Sequence, residues 1–548
     1  MPSRDSSAGE EEVRGPAHIP SADFTRALAE FGDALGAEGL LTAAAEVAPF
    51  RDPFAFPGWH DFDPSAVLMP ASVEEVQAIL RIANARKVPL WTSSQGRNNG
   101  YGGAAPRVAG SVVLSLRRMN RVLEVNEESA FALVEPGVRF FDLYEHLRAI
   151  GSRLWMSVPD LGWGSVVGNT LEYGVGYTPY GDHAASQCGL EIVLPDGDVM
   201  RTGMGAMANP KAWQVYRRSC GPSADGLFMQ SNFGIVTKMG VWLMPAPDCY
   251  MPGWLTLRRD SDLETLLERL RPLMMDGTIP NQPMIINAVC AASALSGREE
   301  WYQGEGPMPD EVIDRIAAQP GLGRWVMRCA LYGDEKIVER QREIVADALG
   351  TIPGAELTFS KYDGHALPEF VNPHERVQAG VPSMDLDRMT RWYGGEKGGH
   401  IGFSCVAPIT GRDGAELRDL VRGRLNAAGL DYSGVLILGR RSMIHVGLVV
   451  FDTEDEAQAK SAYAACKALV EPAARLGYGE YRSHLDFMDL VADQYGFNDH
   501  AQRRFNERIK DALDPNGILS PGKQGIWPRA FREGRPTSAA AEQEERTT

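Results

Sequence analysis

The chain has 548 residues, 44% of them hydrophobic, enough for two or three domains with ample cores. It carries 55 basic against 72 acidic residues, a formal charge of −17 with no basic run, so nucleic acid and anionic membrane surfaces are poor partners. No apolar run approaches the length of a bilayer span, and Met1 to Pro20 is polar and acidic without the apolar core of a signal peptide. Seven dispersed cysteines with no C-x-x-C pair (Cys188, Cys220, Cys249, Cys290, Cys329, Cys405, Cys466) read as buried thiols of a reducing compartment. The expectation is a soluble, cytoplasmic protein with no metal site.

Both ends, 1–20 and 531–548, are rich in Ser, Glu, Ala and Arg and are expected to be disordered tails. Between them, Ala66 to Met69 is a predicted strand and Ser72-Val73-Glu74-Glu75 a capping box. Val76, Ile79, Leu80 and Ala83 recur at helical spacing, and Pro89 to Ser93 is a second strand. The βαβ unit so formed closes with Gly96-Arg97-Asn98-Asn99-Gly100-Tyr101-Gly102-Gly103, whose glycines permit sharp turns that aim amides at an anion. This is not the dinucleotide fingerprint, because the loop runs on to another strand, Ser111 to Leu116, instead of opening a helix. Leu190 to Leu194 and Val199 to Arg201 flank Pro195-Asp196-Gly197-Asp198, a hairpin signal.

After Pro247 the texture changes. Helical periodicity marks Asp262 to Met275, Glu335 to Leu349, Ala415 to Leu430 and Thr453 to Leu476, with strands such as Val435 to Leu438 and Met443 to Phe451 between them. That alternation predicts an antiparallel sheet with helices on one face. A further helix is expected from about His500 to Leu513.

Arg97 to Val108, Val158-Pro159-Asp160-Leu161-Gly162, Gly174 to His183, Ser231 to Thr237, His400 to Ser404, Gly479 to His484 and Asp514 to Lys523 follow one another in an order that resembles the vanillyl-alcohol oxidase/p-cresol methylhydroxylase flavoproteins. The resemblance implies an α+β fold: a PCMH-type FAD-binding domain (21–248 plus 479–530) and an α/β cap domain (249–478) with an antiparallel sheet flanked by helices. It implies FAD-dependent oxidation of para-substituted phenols by hydride transfer to the flavin. O2 would be the acceptor, giving hydrogen peroxide, and the assembly a homodimer. The alternative within the family is a dehydrogenase that passes electrons to a cytochrome.

The chemistry requires an anion-holding site. A para-substituted phenol loses a benzylic hydride easily only once its oxygen is ionised, because the resulting cation then collapses to a quinone methide. A phenol titrates near 10, so neutral operation needs a shift of about three units, roughly 4 kcal/mol. An arginine flanked by hydroxyl donors in a dry pocket supplies this, and by resemblance these are Tyr101, Tyr481 and Arg482, with Asp160 as the acid beside the flavin. Adjacent residues of a regular strand face opposite ways, so Tyr481 and Arg482 converge only if the strand bends. The resemblance also assigns His400 as a covalent tether to FAD. The remaining cofactor contacts it implies are Gly96, Arg97, Asn98, Asn99, Gly100, Tyr101, Gly102, Pro159, Ser165, Asn169, Ile235, Arg482 and Lys523. The implied substrate pocket is Trp163, Tyr177, Gly402, Ser404 and Val435. Trp163, Cys405, Ala184, Ala185 and Val215 to Pro222 depart from the family pattern, and Trp163 is expected to narrow the pocket.

Overall fold

The computed structural model describes residues 13–366, 370 and 372–532. The expected tails therefore lie mostly outside the described residues. Residues 13–20, also expected to be loose, pack instead: Val13 and Ile19 lie against the core of the first sheet, and Gly15 sits under the ring of Phe24.

The first sheet has the strand order Leu40–Leu41, Ala66–Leu68, Val112–Ser115, Leu90–Ser93, the last three parallel. Helix Val73–Arg86 makes the crossover, and its Val76, Ile79, Leu80 and Ala83 are fully buried. Only half of the capping box forms: Ser72 Oγ accepts from Glu75 N at 3.1 Å, whereas the Glu75 carboxylate takes the Ala71 amide. The Val112–Ser115 strand inserts between the two strands joined by this helix, so the glycine-rich loop leaves the sheet at its edge. A second, antiparallel sheet runs Val122–Asn126, Phe131–Val134, Ile235–Trp242, Gln187–Val193, Val199–Arg201, with the expected hairpin turning at Gly197 (φ 90°).

The third sheet has nine antiparallel strands, ordered Glu356–Phe359, Cys249–Leu257, Trp325–Gly333, Met284–Asn287, Ser433–Leu438, Ser442–Asp452, Gly398–Pro408, Gly479–Arg482, with Tyr362–Asp363 also paired to Cys249–Leu257. Helices Asp262–Met275, Glu335–Leu349, Gly411–Ala427 and Glu456–Arg475 bury their apolar stripes on one face of it. The third of these begins four residues earlier than its periodicity suggests, because Thr410 Oγ1 caps it by accepting from Asp413 N. Gly479–Arg482, assigned from the sequence to the N-terminal unit, pairs as the edge strand of this large sheet.

The C-terminal return is latched to the N-terminal unit. Leu90 N donates to Ile518 O and Ser520 N to Leu90 O, both at 2.7 Å. Lys510, wholly buried, donates from Nζ to Asp514 Oδ2 and to the carbonyls of Asn232 and Leu519. A buried ammonium is tolerable only when so many acceptors replace its water. Among the described residues no helix is long and apolar enough to cross a membrane, and no His/Cys/Asp/Glu group could hold a metal. The cysteines are all free, but Cys220 is exposed rather than buried, because it sits in an irregular segment, Val215 to Pro222, that has no core to face.

Candidate active site

Strand Gly398–Pro408 supplies one wall. Its alternation sends Ile401, Phe403 and Cys405 into the helix-covered core and His400, Gly402 and Ser404 the other way. Cys405, one of the departures from the family pattern, therefore faces the core and is not part of the cavity lining. Gly402 carries no side chain for a reason: a Cβ there would lie 2.7 Å from the Tyr101 hydroxyl. Gly402 N also donates to Gly100 O at 3.1 Å, tying strand to loop. His400 is buried with Phe54 against its ring, and its Nδ1 has no hydrogen-bond partner. Burial, opposed by the nearby Asp52, lowers its pKa to about 4, so the imidazole is neutral at pH 7.

In the loop, Tyr101 N and Gly103 N donate to Asn98 O, which closes a turn. The amides of Arg97, Asn98 and Asn99 donate to no carbonyl among the described residues. Gly96 and Gly100 have positive φ (62° and 78°), a conformation glycine reaches without steric cost.

Arg482 lies over two tyrosine rings, 5.1 Å from the centroid of Tyr101 and 5.5 Å from that of Tyr481. The bend required for this is a β-bulge. Ser404 pairs with Arg482 and Cys405 with Glu480, which leaves Tyr481 as an extra residue in the ladder. Both side chains consequently line the same cavity. The Arg482 guanidinium is braced by the Glu172 carbonyl, which accepts from Nε at 2.9 Å, and Tyr481 O accepts from Gln230 Nε2. Tyr101 Oη is 3.0 Å from Ser404 Oγ. Burial and the neighbouring Tyr481 push the Tyr101 pKa up, so it stays a neutral hydrogen-bond donor.

Asp160 is held by a residue the sequence reading missed. Arg328 Nη2 donates to Asp160 Oδ2 at 2.6 Å, both side chains being about 7% exposed. The same guanidinium lies 4.0 Å over the Tyr177 ring, and burial raises the Tyr177 hydroxyl well above its usual pKa. The signal was present as an arginine in the otherwise apolar strand Trp325–Gly333. A lone charge in a buried strand needs a counter-charge.

A cavity of about 310 Å³ joins these groups. Of the predicted residues, Gly96, Arg97, Asn98, Asn99, Tyr101, Pro159, Asp160, Ser165, Asn169, Tyr177, Ile235, His400, Gly402, Tyr481, Arg482 and Lys523 line it. Gly100, Gly102 and Ser404 stand behind that lining, Gly102 pressed against Leu485. Trp163 and Val435 do not line it. Trp163 stacks under Arg97, 4.6 Å from its guanidinium carbon, so it steadies the loop instead of narrowing the pocket; Val435 is buried in the core one residue pair away from Ile437, which does line the cavity. Lys523 is not an unpaired cation but bonds Glu172 at 2.5 Å.

The lining suits a flavin dinucleotide. Glycines leave parts of the wall without side chains: Gly96, Gly164, Gly168, Gly174 and Gly234 all line the cavity. The undonated amides of the loop and the orphan His400 Nδ1 are polar groups that need a partner.

Comparison with known proteins agrees. Residues 64–203 match the FAD binding domain family and residues 302–524 match the FAD linked oxidases, C-terminal domain. The chain is 35% identical to the 4-cresol dehydrogenase (hydroxylating) flavoprotein subunit of Pseudomonas putida, over 93% of this chain and 97% of that one. Its fold superposes on a 4-ethylphenol oxidase from Gulosibacter chungangensis in complex with isoeugenol (TM-score 0.91, 40% identity, 95% and 100% of the two chains). A p-cresol methylhydroxylase with substrate bound gives a TM-score of 0.89 at 34% identity, over 94% and 99% of the chains. Fold and site thus define an FAD-dependent oxidoreductase with two domains. The chain belongs to the vanillyl-alcohol oxidase/p-cresol methylhydroxylase flavoprotein family.

Proposed function

We propose that this protein oxidises para-substituted phenols (4-hydroxybenzyl alcohols, 4-alkylphenols or 4-allylphenols) at the benzylic carbon and passes the electrons to O2. The observation that carries the reading is the seat of Arg482 against the rings of Tyr101 and Tyr481, all three lining one cavity. A guanidinium with two phenolic hydroxyls favours the ionised form of a bound phenol, because both charge and hydrogen bonds act only on the anion at full strength. The anionic oxygen then drives benzylic hydride loss, and the substrate becomes a p-quinone methide. FAD, when bound, supplies the hydride acceptor. Asp160, fixed by Arg328, orients water onto the quinone methide carbon or takes the side-chain hydroxyl proton. His400, neutral and buried beneath the loop, is the proposed covalent tether.

Gly96, Arg97, Asn98, Asn99, Ser165, Asn169 and Lys523 are the proposed cofactor contacts, with Tyr177 and Gly402 facing substrate. The proposed domain division is 21–248 with 479–530 against 249–478, and a homodimer is the proposed assembly, checked by light scattering.

The test is a panel of para-substituted phenols and their methyl ethers, scored anaerobically for flavin bleaching and aerobically for peroxide. Bleaching by none of the free phenols overturns the reading. A second reading has its own support: the Pseudomonas relative is named a dehydrogenase and a flavoprotein subunit. Electrons would then go to a cytochrome, and bleaching without peroxide would select it.

A further inference from the structure

Glu480 is a buried carboxyl next to the site with no assigned work. It lies on the far side of its strand from Tyr481 and Arg482 and is 6% exposed. Its Oε2 accepts from Ser404 N at 3.2 Å, directly at the step where the ladder loses register, while Oε1 has no partner. Ser404 is also the residue whose hydroxyl meets Tyr101. One carboxyl thus touches the bulge that turns Tyr481 and the strand that anchors Tyr101.

Among the described residues, the groups that interact with it carry no positive charge. They are Cys405 on the paired strand, Cys466 on helix Glu456–Arg475, Tyr101 on the glycine-rich loop, and Tyr495 after helix Met488–Gln494, whose hydroxyl donates to the Glu480 carbonyl. Asp486 also acts on Cys466 and is likewise not a cation. No salt bridge involves Glu480 among the described residues. Burial, only partly offset by the Ser404 amide, raises its pKa to about 8.

We propose that Glu480 is a positioning residue that acts as a neutral acid: its carbonyl oxygen holds the Ser404 amide and so fixes the bulge, and its ionisation opposes a phenolate at Arg482. The inference rests on the phenol-binding reading above. Protonated, the carboxyl still accepts from Ser404 but adds no charge behind Tyr101. Ionised, it places a second anion in the same poorly screened region as the bound phenolate.

The experiment uses the purified holoenzyme and 4-bromophenol, which has no benzylic hydrogen, titrated from about pH 6.5 to about pH 9.5, a span that brackets the ionisation of a carboxyl near 8. E480Q keeps the acceptor and cannot ionise. Its affinity is expected to match wild type within about twofold at the acid end and to exceed it by about tenfold at the alkaline end. E480L lacks the acceptor and is expected to bind at least about tenfold more weakly throughout. A wild-type to E480Q affinity ratio that does not change with pH overturns the proposal, as does E480Q binding as poorly as E480L. Infrared difference spectra give an independent readout. A protonated-carboxyl band lost on raising pH in wild type and missing in E480Q supports the neutral acid, and its absence from wild type refutes it. If wild type binds no phenol but shows that band, the function reading fails while the ionisation of Glu480 stands.

Discussion

His400 occupies the space that a side chain on Gly100 would need, its Nε2 lying 2.6 Å from the position of a Cβ there. Gly100 also has φ of 78°, where alanine is strained by about 1–2 kcal/mol. Gly100→Ala is therefore expected to push the imidazole out of place and to lower flavin content per chain several-fold, measured by absorbance of the purified protein. His400→Ala should bind FAD but release it on acid precipitation, whereas wild type should stay yellow. A wild-type precipitate that is colourless removes the covalent tether.

Arg482→Met keeps length and apolar contact while deleting the charge over two rings. The loss expected is about a thousandfold in kcat/KM, roughly 4 kcal/mol of transition-state stabilisation. Tyr101→Phe should cost less, because Arg482 and Tyr481 remain. Equal turnover of a phenol and its methyl ether would remove the anion from the mechanism.

Arg328→Met leaves the Asp160 carboxyl buried without its cation, a loss of about 3–5 kcal/mol in stability by denaturant unfolding. Adding Asp160→Asn removes the stranded charge and should restore much of that, so the two changes are strongly non-additive. Asp160→Asn alone should slow anaerobic flavin reduction with little change in phenol binding. Additive stabilities would mean the pair is not the unit described.

The site was legible in the sequence where function sits on local pattern, and less so where it depends on partners far along the chain. The glycine-rich loop, the alternating His400 to Ser404 strand and the Tyr481-Arg482 pair are short segments whose chemistry can be read in place. The convergence of Tyr481 and Arg482 was stated as a condition, a bent strand, and the register shift at Ser404 meets it. Arg328 was missed because its partner is 168 residues away, and Glu480 because a single buried carboxylate has no periodicity. Trp163 was misplaced since nothing in its neighbours signals that Arg97 will lie over it. Helix ends moved by a few residues where a cap such as Thr410 outweighed the apolar spacing.

Buried histidines set the expected acid limb of stability. Burial lowers His183 to about 3 and His445 to about 4. His183 sits between Asn169 and Ser157, and His445 bonds the Tyr432 hydroxyl with its Nδ1 unpartnered. In the unfolded chain each titrates near 6.5, so between about 6.5 and 4 the unfolded state binds protons that the folded state refuses. Stability therefore falls as pH drops through that window, and it levels off only below the folded values. A shift of about two and a half units corresponds to roughly 3 kcal/mol for one such group. His445→Gln keeps a partner for Tyr432 but cannot titrate. Its melting temperature is expected to fall less than that of wild type between about pH 6.5 and about pH 4.5, within the window the histidine governs. Parallel melting curves for the two proteins across that range would show that His445 is protonated in the fold, contrary to the neutral ring its burial demands.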